Sequence, residues 1–507
     1  MKQKYILVFS LVFFSFSLFS QDFYHTGSTD DIETDPLFGI LLAGGGGDND
    51  QGMAWLAARA NGGDVVVLRA SGSDGYNNYI YSQLGTEVNS VTSIVITSSE
   101  QADSEAVCEA VENAELIFIA GGNQWNYYNH WKGTCLHDLI NAHVNVKSAP
   151  IGGTSAGLAV LGEVVFTAEN QSVWSDEALG DPYHFRVMLA NDFLQVPFME
   201  NVVTDSHYNA VYDDDNNRHG RHTTFLARMI ADWQMNARGI GVNEYTAVAV
   251  DENGLARVFG DPSYFDHAYF LLANAEPDTC LSGTPLHWMN ETNALSVYRV
   301  RGNNEGSNTF NLINWQEGDG GEWFRWYVDN GQLTQVEADY LDATFWVTDS
   351  SSDPIEDAGI HLGGLINLST NTAGQAYFAN ALQDYAYSYV IEKEGYDPLS
   401  GQLSITQAGQ EFSFILDVST SVTGQINVLP APEVGPNPAQ SHVKVKAPRG
   451  SMITGFRMAD VSGRTIVNEK RPAAESLEIS LAGLAPGFYL LMIDTGTDTF
   501  TFRIVKN

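Results

Sequence analysis

Between residues 36 and 265 short, continuous apolar runs alternate with longer helical ones, and this alternation restricts the fold more than any other feature of the chain. FGILLAG (38–44), DVVVLRA (64–70), VTSIVIT (91–97), ELIFIAG (115–121) and TAVAVDENGLARVFG (246–260) have the composition of strands. MAWLAARA (53–60) and DSEAVCEAVENA (103–114) have the spacing of helices. A strand that is apolar along its whole length has to be covered on both faces, which a parallel sheet with crossover helices achieves. The sequence therefore predicts an α/β domain whose sites lie beyond the carboxyl ends of its strands.

At 507 residues the chain exceeds one ordinary domain. Residues 266–340 hold Trp288, Trp315, Trp323 and Trp326 among glycine-rich turns and are assigned as a β-rich extension, giving a first domain over 21–340. From 341 to 418 the pattern changes to two-residue alternation punctuated by turns, the signature of a small β-sandwich. A linker (419–433) and a second β module (434–507) follow. The N-terminus, MKQKYILVFSLVFFSFSLFSQDF, joins Lys2 and Lys4 to an apolar stretch ending at Ser20, and is expected to be a secretory signal peptide over 1–20. No later run approaches the ~20 apolar residues of a membrane span.

Charge narrows the partners. With 25 basic and 62 acidic side chains the net charge is −37, and no sizeable basic cluster offers a face to nucleic acid or an anionic membrane. The three cysteines, Cys108, Cys135 and Cys280, are too few for a disulfide framework and lack metal-ligand spacing, so neither a metal nor another cofactor is expected. One bridge among them is open, its pairing unspecified.

PIGGTSAGLAVLG (150–162) places Ser155 in G-x-S-x-G where an apolar run meets a predicted helix, LAVLGEVVF (158–166). Such an elbow needs glycine on both sides because a neighbouring side chain would clash, and it exposes the serine hydroxyl. The Ala156 N–H is then one oxyanion donor, and the turn IAGGNQ (119–124) is the source of a second. A nucleophilic serine requires a base. His130, His137 and His143 sit in a helix-like stretch where core or surface roles are the default, whereas His207 lies at the end of a β-type segment, NVVTDSHYNA. Asp and Glu are too numerous for spacing to pick out the orienting acid.

GGTSAG, IFIAGGNQ, Asp205-Ser206-His207-Tyr208, RHGR (218–221) and RGIGVNEYTAV (238–248) occur together and in order over about residues 38–265. The set resembles the cyanophycinase and aspartyl dipeptidase family of serine peptidases. The resemblance implies a flavodoxin-like α/β fold and a Ser–His–Glu triad without a metal. Carried over by position, Ser155 is the nucleophile, His207 the base and Glu244 the acid. Gly122 and Ala156 supply the oxyanion hole, with Gly121 competing with Gly122, and Gln124, Arg218 and Arg221 line the substrate pocket. Guanidinium pairs suit bidentate carboxylate binding. The chain departs from the pattern at Ser206, where the family has Gln, at Leu158, and in an acidic insertion, YDDDNN (212–217). That insertion also offers hard oxygen ligands for calcium, as His219 and His222 offer nitrogen for zinc, but a solvated loop is the favoured reading.

In 434–507, P-N-P-A, D-x-x-G, L-x-x-G-x-Y and a basic terminal strand resemble the sorting domain of type IX secretion substrates, and residues 341–418 resemble carboxypeptidase-regulatory-like sandwiches. These resemblances imply a partner in the type IX secretion machinery, and release or surface attachment outside the cell. The expected function is serine-type hydrolysis of cyanophycin, a poly-aspartate bearing arginine on each side chain, or of a related β-aspartyl or Asp-rich peptide. The alternative from another class is an inactive fold used for surface adhesion. A glutamine-amidotransferase-like enzyme would need cysteine where Ser155 stands.

Overall fold

The structure is a computed structural model that describes residues 22–209, 217–363, 366–419, 433–435, 441–447, 452–460, 465–484, 487–495 and 499–506. The expected signal peptide and most of YDDDNN lie outside the described residues. Residues 1–419 form one compact unit and 420–507 a second.

The first unit is built on a ten-stranded sheet. Five adjacent strands run parallel in the order Ser90–Val95, Asp64–Arg69, Leu116–Ile119, Ile151–Thr154, Ile40–Ala43. Side chains along these strands alternate between two covers, as the period of two requires. Leu41, Val65, Val67 and Phe118 pack with Met53 and Leu56 of the Asp50–Ala58 helix. Ile40, Leu68, Ile117 and Ile119 point the other way, into a core shared with Val107, Val111, Leu136 and Ile140. Those four come from the helices Glu105–Glu112 and Cys135–Asn145, which the Cys108–Cys135 disulfide ties together. Cys280 is free and buried, and burial pushes its thiol up to about 12.

Three features depart from the sequence pattern. The run 246–260 is an antiparallel hairpin, Ala247–Val250 with Leu255–Phe259, that extends the sheet beyond Ile40–Ala43. A second, six-stranded sheet joins Val202–Asp205 and Arg238–Val242, which are parallel, to four antiparallel strands between residues 267 and 337. The helix expected over 158–166 is a single turn, Ala156–Ala159. Gly162 then passes so close to the next sheet that a Cβ there would sit 2.7 Å from the Val202 carbonyl oxygen. The β-branched Val164 and Val165 that follow take up strand pairing instead.

Residues 340–416 form two facing sheets around Phe345, Phe378, Tyr387 and Ile391, within the first unit. The second unit has its own two antiparallel sheets over Val443, Val445, Met458, Leu491 and Ile504. Among the described residues no helix is long and apolar enough to cross a membrane.

Candidate active site

The site groups stand one to three residues past strand carboxyl ends. Ser155 follows Ile151–Thr154, His207 follows Val202–Asp205, and Glu244 follows Arg238–Val242. Gly121 and Gly122 follow Leu116–Ile119.

Ser155 adopts φ 54° and ψ −114°, a strained conformation for a residue with a side chain. The two glycines around it are required by close approach. A Cβ at Gly153 would lie 2.4 Å from the Gly157 carbonyl carbon, and one at Gly157 would lie 2.0 Å from the Ile119 carbonyl oxygen. The turn lifts the Ser155 hydroxyl to 2.7 Å from His207 Nε2, and His207 Nδ1 stands 2.6 Å from Glu244 Oε1. A neutral imidazole protonated on Nδ1 donates to the carboxylate and accepts from the hydroxyl, so His207 is placed to take the Ser155 proton while Glu244 holds the ring.

One contributor was passed over in the sequence. Gly44–Gly47, four glycines directly after the Ile40–Ala43 strand, are the hub of the site. The Gly44 carbonyl accepts the His207 amide at 2.7 Å, and the Gly45 carbonyl accepts the Tyr245 amide at 2.9 Å. The Ser155 amide donates to Ala43 O at 3.0 Å, so the same strand end holds all three segments. Gly45, at φ 90°, lies so close that a Cβ would come within 2.6 Å of the His207 ring. The available signal was a glycine run at a strand end, where only backbone can fit between converging side chains.

A cavity of about 350 Å³ opens in front of Ser155 and His207. Gly122, Gln124, Ala156, Arg218 and Arg221 all line it, as does Asp205, whereas Glu244 stands behind His207. Tyr127 Oη donates to the Ala120 and Gly121 carbonyls at 2.8 and 3.1 Å, fixing the turn that presents Gly121 and Gly122. Gln124 Nε2 donates to Phe166 O at 3.3 Å.

The two arginines differ from the expectation that both forks are free for substrate. Arg221 is 3% exposed, and its Nε and Nη2 donate to the two Asp205 oxygens at 2.8 and 2.5 Å. Its Nη1 donates to Ser172 Oγ at 2.8 Å. Burial alone would raise the Asp205 carboxyl, but the charge and hydrogen bonds of Arg221, with Arg218 beside it, hold it below the usual range. Arg218 is more open: its Nη1 donates to Ser206 O at 2.7 Å and stands 3.7 Å from Asp205 Oδ1. Asp213–Asp215 of the acidic insertion lie outside the described residues.

His222, His219 and His143 belong to the interior. His222 lies 3.0 Å from Tyr208 Oη and 3.1 Å from Val203 O, and burial pushes its ring down to about 4. Burial pushes His219 down to about 3, where it packs among Tyr208, Tyr269 and Trp326. His143 is buried against Pro150 O. Among the described residues no three His, Cys, Asp or Glu side chains are grouped to hold a metal ion.

Residues 69–258, which include Ser155, His207 and Glu244, match the model of Peptidase family S51, and residues 433–507 match the Secretion system C-terminal sorting domain. A cyanophycinase of Trichormus variabilis is 23% identical over 227 residues, covering 43% of this chain and 69% of its own. A cyanophycinase of Synechococcus elongatus is 26% identical over 252 residues, covering 46% and 71%. Among solved structures, a peptidase from an acI-B1 Actinobacterium covers 55% of this chain and 98% of its own at 16% identity, with a TM-score of 0.36.

Proposed function

We propose, from the premise that residues 69–258 are a peptidase family S51 domain and residues 433–507 a secretion-sorting domain, that this exported serine peptidase cleaves amide bonds beside aspartate residues. The sorting domain marks the chain for secretion or cell-surface attachment. We read the parallel core as flavodoxin-like, with its chemistry at the strand ends.

In the proposed mechanism Ser155 Oγ attacks the carbonyl carbon as His207 Nε2 takes its proton. Glu244 holds the ring in the required tautomer and stabilises the imidazolium. The Ala156 N–H and that of Gly122, or of Gly121 beside it, face the oxygen where negative charge develops. His207 then returns the proton to the leaving amine, and water attacks the acyl-enzyme by the same route.

The observation that carries this reading is the in-line contact of Ser155, His207 and Glu244 at 2.7 and 2.6 Å, opening on a cavity with a positive floor. Arg218 and Arg221 against Asp205 leave one net positive charge there, in a chain whose net charge is −37. A substrate carboxylate is the group such a floor favours. The curated relatives are named cyanophycinases, so cyanophycin leads the candidates and β-aspartyl peptides follow.

The test is mass spectrometry of the products formed from cyanophycin and from a panel of β-aspartyl and α-aspartyl peptides, with fluorophosphonate labelling of Ser155 alongside. Dipeptide release together with label on Ser155 is expected. Label on no residue and no cleavage of any Asp-containing substrate would overturn the proposal.

A further inference from the structure

Gly44–Gly47 holds three segments of the site with four residues that have no side chains. Glycine lets the backbone fit between converging groups, but it also leaves such a loop with the most conformational freedom to lose. Gly45 and Gly46 adopt φ of 90° and 75°. A Cβ on Gly46 would meet Glu244 at 2.8 Å, and one on Gly47 would meet Tyr245 at 2.7 Å, so a shift of the loop is felt by acid and base alike. The loop therefore has to be pinned at both ends. Its entry is pinned by the sheet, where the Gly44 amide donates to Thr246 O at 2.9 Å.

Asp48, directly after the glycines, pins the exit. Tyr76 Oη donates to its Oδ2 at 2.7 Å. Tyr76 is itself held: its ring centre lies 5.1 Å from that of Phe118, in the strand that leads to Gly121 and Gly122, and its carbonyl accepts the Ile80 amide at 2.9 Å. Burial raises the Asp48 carboxyl above its usual range, and the hydroxyls of Tyr76 and Thr154 act against that shift. Thr154, the residue before the nucleophile, thus stands beside the same carboxylate. Asp48 Oδ1 is shielded from solvent and closes no full hydrogen bond. One residue further on, Asn49 Oδ1 accepts the Gly52 amide at 2.9 Å and caps the Asp50–Ala58 helix, so the loop runs into a fixed helix start.

We propose that Asp48 is a positioning residue for hydrolysis: held by Tyr76, it fixes the glycine loop on which His207 and Glu244 are seated. The proposal rests on the peptidase reading of the triad. Asp48 acts through backbone. The loop it anchors carries the Gly44 carbonyl that accepts the His207 amide and the Gly45 carbonyl that accepts the Tyr245 amide. Released at its exit, the loop drifts, and the imidazole loses its alignment on the Ser155 hydroxyl.

The reactivity of Ser155 in the full chain reads this directly. The probe is a fluorophosphonate, whose concentration dependence separates the maximal labelling rate from the half-saturating concentration. Asp48→Ala and Tyr76→Phe are expected to lower the maximal rate about tenfold or more and to leave the half-saturating concentration within about twofold. Asp48→Asn keeps an oxygen for Tyr76 Oη and can turn an N–H toward Thr154, so it is expected to restore a rate near that of the parent. Tyr79→Phe is the control. It removes a like bond, from Tyr79 Oη to Asp50 Oδ1 at 2.8 Å, at the helix start instead of the loop, and the rate should not change. Parent rates in Asp48→Ala and Tyr76→Phe overturn the positioning role, as does a rise in the half-saturating concentration alone. Equal losses in Asp48→Asn and Asp48→Ala, or in Tyr79→Phe and Tyr76→Phe, overturn it as well. Absence of labelling in the parent chain overturns the peptidase reading itself, and this proposal falls with it.

Discussion

Asp205 and Arg221 form a two-pronged ion pair at 2.8 and 2.5 Å, almost wholly buried, two residues before the histidine that faces Ser155. The pair fixes the strand end that carries His207 and occupies the fork that the RHGR motif appeared to offer to substrate. Arg218, which touches the same carboxylate at 3.7 Å and is less buried, is left as the better candidate for substrate contact.

This division predicts opposite phenotypes for the two arginines. Arg221→Met leaves the Asp205 carboxylate buried without its main partner and is expected to cost about 3–5 kcal/mol of stability. Urea unfolding measures it. Arg218→Gln is expected to unfold near the parent midpoint but to raise KM about ten- to hundred-fold for carboxylate-bearing substrates. Equal kinetic losses on charged and uncharged substrates would remove Arg218 from the pocket.

Ser155→Ala is expected to abolish hydrolysis, by several powers of ten, without shifting the melting temperature by more than a few degrees. Glu244→Gln keeps the shape of the acid but loses its charge, and should lower kcat by about 10²–10⁴ with little change in KM. Near-parent turnover in either variant counts against the triad.

Gly45→Ala tests the glycine hub. Its Cβ would stand 2.6 Å from the His207 ring and 3.1 Å from Ser155 Cβ, so the ring has to move. A displacement of that size is expected to reduce kcat/KM about a hundred-fold. Gly62→Ala is the matched control: φ is 81° and a Cβ there meets nothing within 4 Å. It carries the same backbone strain, of order 1–3 kcal/mol, and should retain full activity. Loss of activity in both variants would mean that strain, rather than contact with His207, is responsible.

Acid should unfold the first unit in a predictable window. Burial lowers His143 and His222 to about 4 and His219 to about 3, against 6.5 for an ordinary histidine. The unfolded chain therefore binds more protons between these limits, and stability falls as pH falls from 6.5 through 4. The contribution is fully present above 6.5. The depressed Asp205 carboxyl acts in the same direction at lower pH. Melting temperatures between pH 7 and pH 4 are expected to drop by many degrees, and His143→Gln, whose amide can still reach Pro150 O, should flatten part of the slope. An unchanged slope would show that His143 is not one of the responsible groups.

The sequence by itself determined what depends on local pattern. Fully apolar runs such as Leu116–Ile119 demanded cover on both faces, so the parallel core was legible, and G-x-S-x-G announced the elbow because its two glycines answer a clash within a few residues. Two-residue alternation likewise marked the β modules after residue 340. Tertiary structure decided the partnerships. With 62 acidic residues in the chain, nothing in their spacing says which carboxylate meets His207 or which one engages Arg221. The run 246–260, grouped with the parallel strands, folds back at Asp251–Gly254 into an antiparallel hairpin, and only its place beside Ile40–Ala43 is set by neighbours distant in sequence. Cys108 and Cys135 were equivalent to Cys280 until two helices packed side by side. Burial and turn chemistry are short-range and written in each segment, whereas pairing of charges, strand order and the convergence of Gly44–Gly47 on His207 arise only when remote segments meet.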